Sequence, residues 1–133
     1  MRAGLLLAAL FPVLATAADC GAALGPHAAR AESEHYSVVF RTEPTPVVVG
    51  QAFALEAEVC AKGAAAPPGG LRVDAQMPAH RHGMNYRATV KARGDGQFRA
   101  EGLLFHMPGR WQFVFDVDAP GMHERVVKDY ALE

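Results

Sequence analysis

The chain has little of what catalysis and nucleic-acid recognition usually require. Serine occurs only at Ser33 and Ser37, cysteine only at Cys20 and Cys60, and no glycine-rich phosphate-binding pattern is present. This scarcity leaves few candidate nucleophiles. Basic side chains form no block, so nucleic acid is not an expected partner. We therefore expect a binding protein rather than an enzyme.

A long membrane-spanning run is also absent. The apolar run at 4–14 follows the basic Arg2, is too short to cross a bilayer comfortably, and precedes Ala15-Thr16-Ala17, a pattern that signal peptidases cleave. Residues 1–17 are therefore predicted to be a secretory signal peptide. The expected location is the periplasm or the outside of the cell, with no transmembrane segment after cleavage.

A lipoprotein signal is the alternative, because Cys20 lies just beyond the predicted cleavage site. The acidic Asp19 directly before that cysteine fits such a signal poorly. The mature chain of about 116 residues is enough for one domain. Loss of Arg2 leaves 12 of the 13 basic side chains against 14 acidic ones, a net charge of −2.

The two cysteines both lie in the predicted mature chain. In an oxidising compartment Cys20 and Cys60 are expected to form a disulfide. On the chain-entropy model, closing a loop of about 40 residues stabilises the fold by roughly 4 kcal/mol.

Short alternating segments separated by turn residues run through the chain from Tyr36 onward. In one of them Phe53, Leu55, Ala57 and Val59 alternate with polar or small residues, which is typical of a half-buried strand. The predicted strands are 36–41, 51–60, 71–77, 85–93, 97–105, 110–118 and 124–132, with Asp95-Gly96 as a hairpin turn.

Seven such strands without an amphipathic helix predict an all-β, immunoglobulin-like β-sandwich over residues 35–133. A cupredoxin-like barrel is the alternative. Residues 18–34 form an N-terminal lead-in before the sandwich, and the sequence is compatible with either a loop or a short helix there.

The methionines and histidines follow a common pattern. Apart from the initiator, each of the four methionines has a histidine within three residues. If consecutive strands run antiparallel, the 77–84 loop and the His106-Met107 pair fall at one end of the sandwich. Met122, His123 and His35 then fall at the other end. The predicted metal ligands at the first end are Met77, His80, His82, Met84, His106 and Met107.

Thioether sulfur and imidazole nitrogen are the donor pair that suits copper. Because sulfur is a soft donor, Cu(I) is the favoured oxidation state, and Cu(II) is the alternative. A thioether needs no deprotonation and survives where free thiols are oxidised. In extended backbone, His80 and His82 would project from the same face about 7 Å apart. A carrier also needs both rings at least partly accessible to solvent.

Structural roles compete with this hypothesis. Met77 continues the inward face of its strand, and the "MPGRW" segment at 107–111 can be a turn that delivers Trp111 to the core. For Met122, His123 and His35 a structural or solvated role is favoured. The alternative functions are an envelope interaction module that docks through an edge strand or loop, and a small-molecule binder with a cleft between the sheets.

Two longer segments resemble the YtkA-like domain family of small secreted bacterial proteins. They are "DAQMPAHRHGM" (74–84) and "GDGQFRAEGLLFHMPGRWQFVFDV" (94–117), and the resemblance extends over about residues 38–118. It implies an immunoglobulin-like sandwich in the periplasm or on the cell surface, an association with copper handling, and a copper-receiving or efflux protein as partner. The family motif falls on Met77, His80, His82, Met84 and Met107.

The family also resembles FixH-type proteins, which are held at the membrane. This chain departs from the plain family pattern in its Cys20/Cys60 pair and in lacking a membrane anchor. The missing anchor argues against a FixH-like role.

Overall fold

The computed structural model describes residues 19–133, so the predicted signal peptide lies outside the described residues. This part of the chain contains nine β-strands, two short 3-10 turns and no α-helix. The strands are β1 (Ala29–Glu32), β2 (Tyr36–Glu43), β3 (Phe53–Ala61), β4 (Gly70–Met77), β5 (His82–Gly83), β6 (Thr89–Gly94), β7 (Gln97–Leu103), β8 (Gly109–Ala119) and β9 (Met122–Leu132). Between residues 19 and 133, no helix has the length and apolar character needed to cross a membrane.

The strands form two antiparallel sheets. Sheet I has the order β1-β2-β3-β7-β6 and sheet II the order β5-β4-β8-β9. Each sheet has an unpaired edge strand on either side (β1 and β6 in sheet I, β5 and β9 in sheet II), so the sheets do not close into a barrel. The immunoglobulin-like β-sandwich is confirmed, and the barrel alternative is not what the chain forms.

The core lies between the sheets because alternate side chains of each strand point inward. In β3 the burial pattern alternates along the whole strand, and in β8 Trp111, Phe113, Phe115 and Val117 are all buried. The ring of Phe40 in sheet I lies 5.1 Å from that of Phe113 and 4.9 Å from that of Phe115 in sheet II. Period-two alternation therefore predicted the core-facing side correctly.

Each of the seven predicted strands is present, with ends displaced by a few residues. The two additions are β1 and β5, which are short. The lead-in was compatible with either a loop or a short helix. It contains a 3-10 turn at Ala22–Leu24 and the strand β1, which pairs with β2. The hairpin turn between β6 and β7 has positive φ at both Asp95 (53°) and Gly96 (74°), as such tight turns require.

The loops fall at two ends, as the alternation of strand direction predicted. We call the end formed by residues 77–84 and 105–109 the Met/His end. The opposite end, which contains Cys60, His35 and Met122, is called the disulfide end. The pairing of Gln76 with Gln112 and of Gly70 with Asp118 fixes these positions along sheet II.

The predicted disulfide is present and attaches the N-terminal segment to sheet I. Cys20 bonds to Cys60 across a separation of 40 residues. The backbone N–H of Gly21 donates to the Glu58 carboxylate (3.0 Å), and the Arg30 guanidinium donates to the carbonyl oxygen of Cys20 (2.9 Å). The segment is therefore held by hydrogen bonds as well as by the covalent link.

A carboxylate connects β9 to the start of β2 at the disulfide end. The two oxygens of Glu124 accept hydrogen bonds from the backbone N–H of His35 (3.0 Å) and from its ring Nδ1 (2.6 Å). Hydrogen bonds from Ser33 and His35 stabilise the ionised form, so the pKa of Glu124 falls from 4.5 to about 2.

We expect the Cys20→Ala/Cys60→Ala double variant to lose about 4 kcal/mol of unfolding free energy, because the unfolded chain regains the freedom of a long loop. Urea denaturation of the oxidised protein and the variant measures the difference. The wild-type protein in a thiol reductant is the matched control and should lose a similar amount. A loss below about 1 kcal/mol would contradict this account of the disulfide.

The lowered pKa of Glu124 predicts a dependence of stability on pH. A carboxyl whose pKa is lower in the folded than in the unfolded state stabilises the fold above its unfolded pKa, and this contribution disappears as pH falls from about 4.5 to about 2. Glu124→Gln should therefore be less stable than wild type at pH 7, and the gap should close toward pH 2. Urea denaturation at several pH values tests this, with the exposed neighbour Glu34→Gln as control. A gap that stays constant with pH would overturn the prediction.

Candidate metal centre at one end of the sandwich

The first segment of the Met/His end turns back on the strand that precedes it. β4 ends at Met77, and Pro78 opens a 3-10 turn over Pro78–His80. Arg81 then takes a left-handed conformation (φ 55°), which lets His82 pair with Met77 as β5. The backbone between the two histidines is therefore not extended as expected, yet the centroids of the His80 and His82 rings lie only 5.7 Å apart.

The second segment crosses from β7 in sheet I to β8 in sheet II. Its start is held because the backbone N–H of Gly50 donates to the carbonyl oxygen of Phe105 (2.8 Å). Further along, the indole Nε1–H of Trp111 donates to the carbonyl oxygen of Met107 (3.0 Å). The rings of Phe105 and Trp111 stack at 4.4 Å with 8° between their planes. Core packing thus fixes where His106 and Met107 lie.

The structure brings the three histidines of this end into one row. The ring of His82 lies between those of His80 (5.7 Å) and His106 (5.3 Å), measured between centroids. Trp111 lies edge-on to His82 at 6.0 Å and to His106 at 5.5 Å. His80 is exposed and His82 and His106 are half-buried, so the expected accessibility of His80 and His82 is found.

Two ring nitrogens have properties that suit a ligand. Nδ1 of His82 lies 3.1 Å from the carbonyl oxygen of Gly83, and a carbonyl only accepts, so Nδ1 carries the proton and the lone pair of the neutral ring is on Nε2. Nδ1 of His106 is buried and has no hydrogen-bond partner within residues 19–133. An unpaired buried nitrogen of this kind costs about 1–3 kcal/mol unless another group satisfies it.

The three methionines of this end differ in burial. Met77 is only 1% exposed and belongs to the core, as its structural interpretation anticipated. Its terminal methyl fills the space where a side chain on residue 109 would lie, since a Cβ there would come within 2.7 Å of it, and Gly109 has a φ of 132°. Met84 and Met107 are half-buried against the core. All three thus lie in the two segments that carry the histidines, although Met77 is not accessible.

The charges within the two segments of this end are positive, while Asp74 and Asp129 line the grooves beside them. Neither 77–84 nor 105–109 contains an acidic residue, while Arg81 and the adjoining Arg110 are exposed. The candidate ligands are therefore neutral sulfur and nitrogen atoms near two guanidinium groups.

The histidines alone do not form a preorganised three-ligand group. Within the described part of the chain, the only set of three His, Cys, Asp or Glu side chains with ligand atoms within 4.8 Å of one another is Cys20, Glu58 and Cys60. Both cysteines there are consumed by the disulfide, so that set is no thiolate site. An ion at the Met/His end would need thioether sulfur or movement of the exposed His80.

The other candidate residues lie at the disulfide end. Nδ1 of His123 is 2.6 Å from a carboxylate oxygen of Asp118, and His35 is bound to Glu124 as described above. The sequence favours a structural or solvated role for these histidines, and each ring lies against a carboxylate. The His35–Glu124 contact joins residues 89 positions apart, so no local sequence signal could have revealed it.

The small-molecule hypothesis required a cleft between the sheets. A groove of about 540 Å³ does lie beside the Met/His end, lined by residues that include Pro78, Arg110, Trp111 and Tyr130. The strands and turn that form it all belong to sheet II. This groove is therefore not the expected cleft.

Comparison with known proteins identifies the family. No curated protein and no solved structure matches the chain significantly. The family model described as YtkA-like matches residues 30–116, which covers most of the sandwich and both segments of the Met/His end. The chain therefore belongs to the YtkA-like family, as the sequence motifs predicted.

Proposed function

We propose that the protein is a periplasmic copper-binding protein that carries, buffers or hands over the ion through its Met/His end. The proposal assigns binding to His80, His82 and His106 together with thioethers of Met84 and Met107, with Met77 beneath them. No catalytic step is part of it. Copper is the cargo in this function.

The observation that carries the proposal is the buried, unpartnered Nδ1 of His106, 5.3 Å by ring centroids from His82. A folded chain rarely leaves a buried nitrogen without a partner. A bound ion would satisfy this nitrogen and also use the lone pair on Nε2 of His82. Fixing one ring nitrogen by a backbone carbonyl is how metal-binding histidines are commonly oriented.

Charge and donor type both favour Cu(I) over divalent ions. Arg81 and Arg110 repel a divalent cation about twice as strongly as a monovalent one at the same distance, an effect that Asp74 and Asp129 in the adjoining grooves reduce. Thioether sulfur is also a soft donor and suits Cu(I). Hard divalent ions such as Mg²⁺ and Ca²⁺ prefer oxygen ligands, which neither segment supplies from acidic side chains.

The graded exposure of the ligands suits transfer to another protein. His80 is exposed, His82 and His106 are half-buried, and Met77 is fully buried. A partner could thus displace the outermost ligand first while the inner ones still hold the ion. The copper-receiving or efflux protein of the envelope that we expect as partner would approach at this end.

The disulfide supports a location outside the cytoplasm, because such bonds persist in oxidising compartments. The signal peptide predicted at residues 1–17 narrows this location to the periplasm or the cell exterior. A thioether-based copper site is compatible with the same conditions.

A non-metal interaction module is the second candidate. Its support is β9, an edge strand of eleven residues that exposes Val127 at 42%. Long edge strands can pair with a strand of another protein. Copper measured in the protein as purified from the envelope would favour the first function over this one.

Removing the exposed and central histidines should abolish most Cu(I) binding. We expect the His80→Ala/His82→Ala variant, without residues 1–17, to bind Cu(I) at least about 10-fold more weakly than wild type in competition with a chromophoric chelator. The ring of Trp111, the only tryptophan, lies 6.0 Å from that of His82 and 5.5 Å from that of His106, so quenching of its fluorescence reports binding at this end. His123→Ala is the control and should bind as wild type does. Equal affinity in the double variant and wild type would refute the proposal.

Replacing the unpartnered imidazole should separate stability from binding. His106→Phe keeps a ring of similar shape and removes the buried unpaired nitrogen, so we expect the unfolding free energy of the metal-free protein to stay equal or to rise by about 1–3 kcal/mol. The same variant should lose Cu(I) affinity in the chelator assay. Thermal or urea denaturation without metal supplies the first value. A destabilised variant with unchanged affinity would mean that His106 serves packing only.

A further inference from the structure

At the disulfide end, the ring of His35 is oriented by a carboxylate. Glu124 accepts hydrogen bonds from both the backbone N–H and the ring Nδ1 of this residue. Because an ionised carboxylate only accepts, Nδ1 carries a proton and the lone pair of the neutral ring is on Nε2. Metal-binding histidines are commonly oriented by a carboxylate in this way.

A second carboxylate lies near the free nitrogen. Oε1 of Glu34 is 3.9 Å from Nε2 of His35, and the Glu34 side chain is 85% exposed. The separation is too long for a hydrogen bond. With bonds of ~2.0–2.2 Å and tetrahedral angles, two ligand atoms of one Zn²⁺ lie roughly 3.4 Å apart. A shift of the exposed Glu34 carboxylate by about half an ångström would bring the two atoms to that separation, so that one ion could bind both.

The surroundings add a third donor and a favourable charge. A surface pocket of about 510 Å³ is lined by Glu34, His35, Lys62 and Met122, so a half-buried thioether shares the pocket with the two candidate ligands. The ammonium of Lys62 is the cation facing this pocket, and it is held by the Glu32 carboxylate. With Lys62 balanced by Glu32, the remaining charges are the carboxylates of Glu34 and the nearby Glu124.

We propose that Glu34 and His35 form a second metal site that takes a borderline divalent ion, Cu²⁺ or Zn²⁺, with Met122 in its wall. Imidazole and carboxylate are the donors these ions prefer, and of the two Cu²⁺ binds such sets more tightly. The site lies at the opposite end of the sandwich from the Met/His end. It therefore goes beyond the function proposed above and does not depend on it.

The sequence favours a structural or solvated role for His35 and Met122, and the contact between His35 and Glu124 is structural because it joins β9 to the start of β2. That contact uses only the backbone N–H and Nδ1 of His35 and leaves Nε2 to face Glu34. A structural role and a ligand role are therefore compatible in the same residue.

The test uses the His80→Ala/His82→Ala protein, so that the Met/His end contributes as little as the chain allows. Cu²⁺ and Zn²⁺ are titrated separately and followed by amide signals in ¹H–¹⁵N NMR spectra. We expect Cu²⁺ to broaden, and Zn²⁺ to shift, signals of residues 34–36, 62–65 and 122. Adding Glu34→Gln, which removes an exposed carboxylate without disturbing the Glu124 contact, should raise the Kd for both ions at least about 10-fold.

His35→Ala should abolish the localised changes, and circular dichroism shows whether it remains folded. His123→Ala is the matched control, because this imidazole also binds one carboxylate through Nδ1 (Asp118) and has Nε2 3.9 Å from a second (Asp116). Both oxygens of Asp116 are already bound by Arg125, so His123→Ala should leave the Kd unchanged. An unchanged Kd in Glu34→Gln would overturn the proposal. The proposal would also be overturned if the broadening were centred on His123. The same holds if it were centred on residues 19–21, which adjoin the amino terminus created by removing residues 1–17. None of these outcomes bears on Cu(I) binding at the Met/His end.

Discussion

The stack between Phe105 and Trp111 is the contact on which the Met/His end depends. The two rings lie 4.4 Å apart and nearly parallel in the core. Trp111 also donates to the carbonyl oxygen of Met107 and lies edge-on to His82 and His106. The candidate ligands are thus placed by aromatic packing that forms with the fold itself. The core thus orders His82, His106 and Met107 before any ion arrives, whereas the exposed His80 would still have to move to join them.

Alternation of side chains was enough to predict the sandwich, because strands such as β3 and β4 bury one face, although β2 is buried on both. β1 was not predicted because the alternation in "ARAE" covers only four residues and its apolar members are small alanines; the segment becomes a strand by pairing with β2. β5 has two residues and depends on the 3-10 turn before it. Antiparallel topology correctly brought the 77–84 and 105–109 loops together. It could not give the order of the rings or the unpartnered nitrogen of His106, since both depend on side-chain packing across the two sheets.

The two ends of the sandwich differ in the chemistry they offer. The Met/His end combines neutral nitrogen and sulfur with Arg81 and Arg110, whereas the disulfide end carries several carboxylates close to His35 and His123. A soft monovalent ion and a borderline divalent ion would each find the more favourable field at a different end. The length of the strands keeps these environments apart. One small domain could therefore distinguish two oxidation states of the same metal by position alone.

The crossing of the 105–109 segment from one sheet to the other has a mechanical consequence. His106 follows Phe105, which is anchored to the β2–β3 loop of sheet I through Gly50, whereas His82 belongs to β5 at the edge of sheet II. An ion shared by these two histidines would cross-link the two sheets. The disulfide, by contrast, only fastens the N-terminal segment to sheet I. Sliding or separation of the sheets would then stretch the bonds to the ion, so loading with metal would stiffen the sandwich between the sheets, which the disulfide does not cross-link.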